Sequence, residues 1–459
     1  MVTRIGPAIF AVLAVFLTGP LRSEVSGEPL GPELKEALDG VLQCERPDGG
    51  WMYVCEQGVR VAGFTSITRR AERIAGAVGF ASWDLVVLRS PGTPAGGLLF
   101  LRAYQKTGDE AYLAAARRTG DLLVNVQLPS GGWFSEMPVY GKRLAMWFRA
   151  IVPWTTLDDD VTPGATRFLL ALWEVTREPR YRDAAEHGLD LLLKAQLPSG
   201  AWPLTWRPTW LRLLSSNFED WPSLNDGATT CVIHTLIAGA RVLDRPEILE
   251  AARRGGDWLL SAQGVSPNAG WAQQYNEEGH PAPGRRFEPV ALATWESRYA
   301  LEALSALAAT TGDQHFCTAF PRGIDWLVRS ALAPGCWARL YSTKSNVPIY
   351  SDLRGNSVPS VEQAKRPYRW EGDFGIPALF ASLRLDESGR PVGPGSRLPD
   401  ATWRVHGDTE GCAGDESERS PRSHSPNPRI RMAEAVSRLV ALEPAGAAAC
   451  TALAWRPAL

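Results

Sequence analysis

Apolar positions recur at helical spacing through the middle of the chain, in blocks that return at a fixed interval. The segment from Arg167 to Val175 is apolar on nearly every side, as expected of a helix buried all round. The segment from Tyr181 to Ala195 instead places apolar residues at i, i+3 and i+4 beside charged positions. The pattern therefore predicts a helical hairpin with one inner and one outer helix.

This hairpin is one unit of a tandem repeat. The motif Gln127-Leu-Pro-Ser-Gly-Gly-Trp133 returns as Gln196-Leu-Pro-Ser-Gly-Ala-Trp202, and the other landmarks of the unit are displaced by the same interval. Looser copies end at Trp271 and Trp337, and a degenerate copy ends at Trp51. Such repeats are stacked supersecondary units, and roughly four to six hairpins that close on themselves would form an α/α toroid. Few strand-like alternations occur between residues 60 and 375, so we predict an all-α fold.

The two ends of the chain differ from the repeat region. Residues 1–22 contain Arg4 and an apolar run from Ala8 to Leu17. This run has the length of a signal-peptide core and is shorter than the ~20 apolar residues that span a bilayer. Gly, Pro, Ser and charged residues dominate from Glu387 to Pro428, and only the apolar stretch from Met432 to Leu442 suggests a short helix, so we predict a low-complexity or disordered extension over 386–459. We therefore expect a signal peptide at 1–22, a toroid domain at 30–380 and a secreted or periplasmic protein.

Charge and cysteine content restrict the possible partners. The formal net charge of -2 lacks the basic footprint of a nucleic-acid-binding protein, and no other segment predicts an integral membrane helix. The seven cysteines lack the spacing of a zinc site. Cys44 with Cys55, and Cys317 with Cys336, could form disulfides in an oxidising compartment, whereas buried free thiols are the alternative. We expect a monomer.

Acidic residues before the inner helices are the main candidates for chemistry. Asp158-Asp159 precedes Gln196 by the same interval as Asn225-Asp226 precedes Gln263, so Asp159 is the counterpart of Asp226. Because neighbouring units touch, the run from Asp158 to Asp160 is expected to lie close to Asp226. Clustered carboxylates with few histidines suit calcium or magnesium. The alternative is that these acids cap helices, although three consecutive acids repel one another.

Arginines in three loops are candidates for holding an anionic substrate. Arg285, Arg339 and Arg354 all lie in loops between predicted helices, and arginine can bind a carboxylate through two hydrogen bonds. The alternative is that each is an ordinary solvated charge. Acids and arginines at one mouth of a toroid would suit an anionic substrate bridged through a divalent cation.

The eighteen tryptophans fall into two groups. Those that end the repeats are expected to be packing residues at Gly-rich turns. Others lie in irregular segments, where an aromatic face could stack on a sugar ring: Trp154, Trp206, Trp210 and Trp221. The six histidines form no spaced pair, which gives no sign of a catalytic triad or a zinc motif.

Several short motifs, in order, resemble the pectate lyases of polysaccharide lyase family 10. They cover about residues 60 to 375, and the quoted elements are these: Thr156-Leu-Asp158 through Thr162, Arg180-Tyr-Arg182, Asn225-Asp226-Gly-Ala228, Trp271-Ala-Gln-Gln-Tyr275, Phe287-Glu-Pro289, Glu296-Ser297, Trp337-Ala-Arg339 and Lys365-Arg366-Pro-Tyr-Arg-Trp370. The resemblance implies an α/α-toroid lyase that acts with calcium on 4-linked galacturonan. It also implies an anionic polysaccharide as the partner.

The resemblance assigns roles to residues by matching position. Asp158 and Asp226 would be active-centre acids that bind calcium, and Asp158 would be catalytic. Apart from the resemblance, we expect Asp159 to contact substrate. Arg339 would be the catalytic base, and Arg285 and Arg354 would bind uronate carboxylates. An arginine base is chemically unusual, because a guanidinium normally stays protonated up to a pKa of about 12.5.

The chain departs from the family pattern at four positions. Asp159 stands where the family has Asn, Leu204 where it has Gln, and Ala291 and Ala293 where it has serines. These departures leave open a lyase or hydrolase acting on another uronate-containing glycan, or a catalytically inactive glycan-binding toroid. A terpenoid-cyclase-like toroid is a further alternative, although the acidic run is not Asp-x-Asp-Asp.

Overall fold

The computed structural model describes residues 27–383 except for 28, 44, 47–48, 52–53, 56–58, 61–84, 91, 139–153, 215–216 and 365–368. The predicted signal peptide, the C-terminal extension and Cys44 lie outside these described residues. Among the described helices, none has the length and apolar character needed to cross a membrane.

The described helices follow the predicted hairpin pattern. Their bounds are α1 (Pro32–Leu42), α2 (Thr93–Thr107), α3 (Glu110–Val126), α4 (Val161–Thr176), α5 (Pro179–Ala195), α6 (Thr209–Leu214), α7 (Ala228–Val242), α8 (Pro246–Ala262), α9 (Thr294–Thr311), α10 (Phe320–Arg329), α11 (Val361–Ala364) and α12 (Ile376–Ser382). Short 3₁₀ helices occupy Phe218–Asp220, Asn225–Gly227 and Gln314–Ala319.

Consecutive helices pair into hairpins, and the hairpins stack side by side. Helix α2 packs on α3, α4 on α5 and α7 on α8. The first helix of each pair also packs on that of the next unit, so that α2, α4, α7 and α9 form an inner layer. In α4 every residue from Val161 to Leu172 is buried, whereas α5 buries one face only, as the apolar pattern predicts. The architecture is the predicted α/α toroid.

The turn inside each hairpin is built in the same way. Thr107 donates its hydroxyl to the Ala103 carbonyl, and Gly108 then adopts a left-handed conformation with φ of 75°. Asp109 begins the outer helix by accepting a hydrogen bond from the Ala111 amide at 2.9 Å, which satisfies one of the free N–H groups of that helix end. The motif recurs at Thr311, where glycine and aspartate again follow.

The repeated Gln and Trp residues fasten neighbouring units together. The Gln196 side-chain amide donates to the carbonyl of Gly200 in its own turn and to that of Ala251 in the next outer helix, both at 2.8 Å. Trp202 is fully buried, and its indole N–H donates to the Leu192 carbonyl at 2.7 Å. Equivalent bonds exist at Gln127, Trp133, Gln263 and Trp271. The repeat-ending tryptophans are therefore packing residues, as predicted.

Short strands line the ends of the units, and the all-α prediction did not include them. They are β1 (Val54–Cys55), β2 (Val59–Arg60), β3 (Leu85–Val87), β4 (Glu136–Pro138), β5 (Thr155–Thr156), β6 (Thr205–Trp206), β7 (Trp271–Ala272), β8 (Leu292–Ala293), β9 (Ala331–Ala333), β10 (Cys336–Ala338), β11 (Leu340–Tyr341), β12 (Pro348–Ser351), β13 (Ser357–Val358) and β14 (Glu371–Gly372). A five-stranded sheet has the order β13-β12-β11-β8-β7, and β5, which precedes α4, pairs with β6, which follows α5. Segments this short carry no alternation that a sequence could display.

Cys317 and Cys336 are both disulfide-bonded, so the alternative of buried free thiols does not apply to them. Cys231 is a free cysteine on α7.

Replacing Trp202 by alanine should lower the free energy of unfolding by about 3–5 kcal/mol, because a fully buried indole and its hydrogen bond are lost. Trp210 is a matched control, since it is 58% exposed. Its replacement by alanine should change stability by less than about 0.5 kcal/mol. Urea unfolding monitored by circular dichroism measures both values, and equal losses would contradict the packing role of Trp202.

Candidate active site at the entrances of the inner helices

Two equivalent turns bring acidic residues to the mouth of the toroid. Asp159 and Asp226 both adopt the left-handed conformation, with φ of 52° and 50°. Asp160 and Gly227, the next residue in each turn, are left-handed as well. The Asp159 amide donates to the Asp226 carbonyl at 2.9 Å, and the Ser90 amide donates to the Asp159 carbonyl at 2.9 Å. Three successive units are thus joined at this position, and the counterpart relation between Asp159 and Asp226 is confirmed.

The side chains of Asp158, Asp159 and Asp226 converge. One carboxylate oxygen from each lies within 4.8 Å of the others, and all three residues are half-buried. Burial, followed by the charges of Asp159 and Asp226, raises the pKa of Asp158 well above its usual value. Burial also opposes ionisation of Asp226, but Arg285, Arg339 and Arg89 outweigh it and leave the pKa of Asp226 below normal. The cluster can hold a divalent cation, which would relieve the repulsion at Asp158.

Asp160 does not join this cluster, although it completes the acidic run in the sequence. Its carboxylate accepts a hydrogen bond from the buried Arg167 guanidinium at 2.5 Å. Arg167 in turn donates to the hydroxyl of Thr235 and to the carbonyl of Cys231 on α7. Asp160 therefore ties its turn to the inner helices, and the acidic centre consists of two residues from the run together with Asp226.

Two arginines form ion pairs with the acidic centre. Arg285 lies in the loop before β8, and its Nη2 is 2.6 Å from Oδ2 of Asp226. Arg89 follows β3, and its Nη1 is 3.0 Å from Oδ2 of Asp159. Sequence reasoning missed Arg89. The repeat register could have found it, because Arg89 precedes Gln127 by the same interval as Asp158 precedes Gln196.

Arg339 lies beside the same centre and is fixed from several directions. Its amide donates to the Trp370 carbonyl at 2.7 Å, and its carbonyl accepts from the Thr294 amide at 3.0 Å. The guanidinium Nη2 is 3.3 Å from Oε1 of Glu296, and the guanidinium carbon lies 5.2 Å from the centre of the Trp295 ring. Both Arg339 and Glu296 are buried. Burial raises the pKa of Glu296, while Arg339 opposes that rise.

Arg354 lies farther out, in an exposed turn that contacts the Arg285 loop. The Asp352 carboxylate accepts hydrogen bonds from the amides of Arg354 and Asn356. Gly355 has φ of 86°, and a Cβ atom there would collide with the Arg286 carbonyl. This close approach sets the Arg354 turn against the Arg285 loop, which places Arg354 at the rim.

The departures from the family pattern occupy supporting positions. Leu204 is buried, and its carbonyl accepts hydrogen bonds from the amides of Leu157 and Asp158. Ala291 and Ala293 are buried in a small apolar cluster with Leu340 and Trp370. The extra charge of Asp159 is balanced by its ion pair with Arg89. His280 is exposed in a turn, and no contact joins it to the acidic centre among the described residues.

An α/α toroid with three converging carboxylates and flanking arginines at one mouth suits an enzyme for anionic glycans. Residues 147–327 match the family model described as pectic acid lyase. This match agrees with the resemblance seen in the sequence and supports a pectate lyase-like enzyme. No curated protein sequence matches the chain.

Similar folds occur among solved structures. A family 10 polysaccharide lyase from Cellvibrio cellulosa shares 20% identity over 63% of this chain and 96% of its own, with a TM-score of 0.48. A mutant of that lyase in complex with trigalacturonic acid gives 19% identity, 63% and 97% coverage, and the same TM-score. A sugar epimerase from a ruminal bacterium gives 10% identity, 68% and 75% coverage, and a TM-score of 0.48.

Proposed function

We propose that this protein is an exported, calcium-dependent lyase that cleaves 4-linked galacturonan by β-elimination. The observation that carries the proposal is the convergence of the Asp158, Asp159 and Asp226 carboxylates within 4.8 Å at a mouth lined by arginines. Hard oxygen donors without histidine suit calcium better than zinc. The disulfide-bonded Cys317 and Cys336 support export.

Different residues of the site would bind the cation and the substrate. Asp158 and Asp226 would hold calcium, with Asp159 beside them and partly neutralised by Arg89. Bound calcium would draw charge from the C6 carboxylate of a uronate and so acidify the C5 proton. Arg285, at the acidic centre, would bind the carboxylate of one sugar, and Arg354, at the rim, that of a neighbouring sugar.

Arg339, in its neutral guanidine form, would take the C5 proton and become a guanidinium. The C5–H electron pair then forms the C4=C5 double bond, the C4–O bond breaks, and the departing oxygen takes up a proton from water. Glu296 and Trp295 hold the Arg339 side chain in one orientation, so the group that takes the proton is positioned before the substrate arrives. The base role follows the family resemblance, and the buried, fixed position of Arg339 suits it.

The direct test is ultraviolet absorbance of an unsaturated uronate product. Polygalacturonate is incubated with the protein at alkaline pH, first with calcium and then with a chelator. We expect a rise in absorbance that depends on calcium and disappears in Asp158→Asn. A folded, calcium-loaded protein that gives no rise would refute pectate lyase as the function, and the same assay on other uronate polymers would then identify or exclude a different substrate.

Removing the positive charge of Arg89 should tighten calcium binding. Arg89 competes with a cation for Asp159, and two unit charges about 4 Å apart interact by about 4 kcal/mol at an effective dielectric of ~20. Partial screening leaves an expected gain of roughly tenfold in affinity for Arg89→Gln, measured by calorimetry without substrate. Arg117→Gln is the control, because Arg117 pairs with Glu178 away from the mouth. Weaker calcium binding in Arg89→Gln would contradict this competition.

A further inference from the structure

Two buried carboxylates contact the two arginines of the site. Glu288 is 2% exposed and Glu296 is 0% exposed. Oε1 of Glu288 is 2.8 Å from Nε of Arg285, and Oε1 of Glu296 is 3.3 Å from Nη2 of Arg339. A buried carboxylate is costly unless its hydrogen bonds are supplied by the protein. Each carboxylate therefore needs further partners besides its arginine.

Two side-chain amides connect these carboxylates to each other. The Gln273 amide nitrogen donates to Oε1 of Glu296 at 2.9 Å and to Oδ1 of Asn225 at 3.2 Å. The Asn225 amide nitrogen then donates to Oε1 of Glu288 at 3.1 Å. Asn225 and Gln273 are also buried. A continuous chain thus runs from Arg285 to Arg339 through Glu288, Asn225, Gln273 and Glu296, and we call these four residues the brace.

The direction of the hydrogen bonds fixes the amides in one orientation. Both ends of the brace are acceptors, and each Oε1 atom contacts one arginine and accepts from one amide. Asn225 occupies the repeat position of Asp158, at the same interval before the next repeated Gln. An aspartate there would have no N–H to donate to Glu288. The amide therefore serves the brace, whereas the acid at the equivalent position of the preceding unit faces the cation site.

The two ends of the brace lie on different parts of the chain. Glu288 belongs to the loop before β8, where it also accepts a hydrogen bond from the Arg285 amide at 2.6 Å. Glu296 lies in the first turn of α9, and Gln273 follows β7. A shift of either arginine would therefore disturb the hydrogen bonds of Asn225 and Gln273, which also hold the carboxylate of the other arginine. Such bonds are strong in the low dielectric of the interior, so the disturbance would be passed on.

We propose that Glu288 and Glu296 are positioning residues for Arg285 and Arg339, and that Asn225 and Gln273 couple the two arginines into one unit. The proposal rests on the proposed function, because it concerns the arginine that binds substrate and the arginine that takes the proton. Binding of one uronate carboxylate at Arg285 then sets the position of Arg339. The brace makes substrate binding and proton abstraction interdependent.

Kinetic constants separate the two ends. Glu288→Gln should raise KM for polygalacturonate about tenfold, since it loosens the binding arginine, and should lower kcat by a smaller factor, because the brace passes part of the displacement on to Arg339. Glu296→Gln should lower kcat by roughly 10–100-fold with a small change in KM, because small misplacements at a reacting atom are costly. Glu302→Gln is the control for Glu296→Gln, since Glu302 is a carboxylate of the same helix paired with Arg298 at 2.7 Å.

Adjacent glutamines give the sharpest comparison. Gln273 belongs to the brace, whereas the amide of the equally buried Gln274 donates to the carbonyls of Phe218 and Pro222. Gln273→Met should lower kcat/KM at least about tenfold, and Gln274→Met should lower stability without that loss. In the wild-type protein, the losses of kcat/KM caused by Glu288→Gln and Glu296→Gln should combine to less than their product. In the Gln273→Met variant the two losses should multiply, as those of independent sites do.

The outcomes distinguish the brace from the proposed function. Lyase activity with equal kcat/KM in the Gln273 and Gln274 variants would overturn the brace and leave the function standing. If the wild-type protein makes no product, calorimetric binding of trigalacturonate with calcium decides the matter. Binding that weakens in Gln273→Met alone would support the brace while the lyase function fails, and binding that is equal in both variants or absent in the wild type would overturn both.

Discussion

Arg339→Ala is expected to lower kcat on polygalacturonate by about 10³-fold, within the roughly 10²–10⁴-fold range of general base catalysis. Calcium binding should persist, because the variant keeps all three carboxylates of the acidic centre, while the contacts of Arg339 with Glu296 and Trp295 are lost. The kcat of Arg339→Lys should be about 100-fold below that of the wild type as well. An ammonium cannot match the planar contact with Trp295 while reaching Glu296.

The measurement is the initial rate of unsaturated uronate formation, with thermal unfolding and calcium titration of each variant. Arg329→Ala provides a control, since Arg329 pairs with the exposed Asp325 within α10. A variant that lacks Arg339 and keeps more than about one tenth of wild-type kcat would refute the base role. A variant that fails to bind calcium would instead report a damaged site, and Arg339→Lys would then carry the test.

Asp226→Asn should weaken calcium binding by at least about 100-fold and remove activity at physiological calcium, because one of three clustered charges is lost. Asparagine is the appropriate replacement, since Asp226 has φ of 50° and asparagine tolerates the left-handed region better than alanine. Asp158→Asn should behave in the same way. Calorimetry with calcium alone measures the affinities, followed by the absorbance assay over a range of calcium concentrations.

Asp160→Asn is the matched control for these variants. Asp160 is part of the same acidic run and is also left-handed, but its carboxylate is bound to Arg167. We expect lower stability, because a buried arginine loses its charged partner, with calcium affinity close to wild type. Equal loss of calcium affinity in Asp160→Asn and Asp226→Asn would show that the run acts through its overall charge, and would contradict the assignment of ligands by geometry.

The stacked helical hairpins of the fold could be predicted from the sequence, because the sequence motifs repeat. The recurrence of Gln196 and Trp202 at a fixed interval gave the units, and the observed bonds of these residues explain why they recur. The same register paired Asp159 with Asp226, which the backbone hydrogen bond between them confirms. Two-residue strands such as β5 and β6 were beyond prediction, because hydrogen bonds between distant segments define them.

The position of the site could be predicted from the sequence, but the ion pairs of its acidic residues could not. A register places a residue at the mouth of the toroid but does not say which way its side chain turns. Asp160 and Asp159 are adjacent, yet one binds Arg167 below the mouth and the other binds Arg89 at it. Such choices depend on left-handed backbone geometry and on arginines from other parts of the chain. The brace was invisible for the same reason, since its members come from three separate segments.

The backbone bonds that join Ser90, Asp159 and Asp226 have an evolutionary consequence. One duplicated turn carries Arg-Ser in the first of these units, Asp-Asp in the second and Asn-Asp in the third. The repeat places the same position at the mouth of the toroid three times. The residues at that position differ between the three units, while the backbone bonds that join the units are kept. Replacing the pair at 89–90 by two acids would therefore be expected to move the proposed cation site by one unit along the ring.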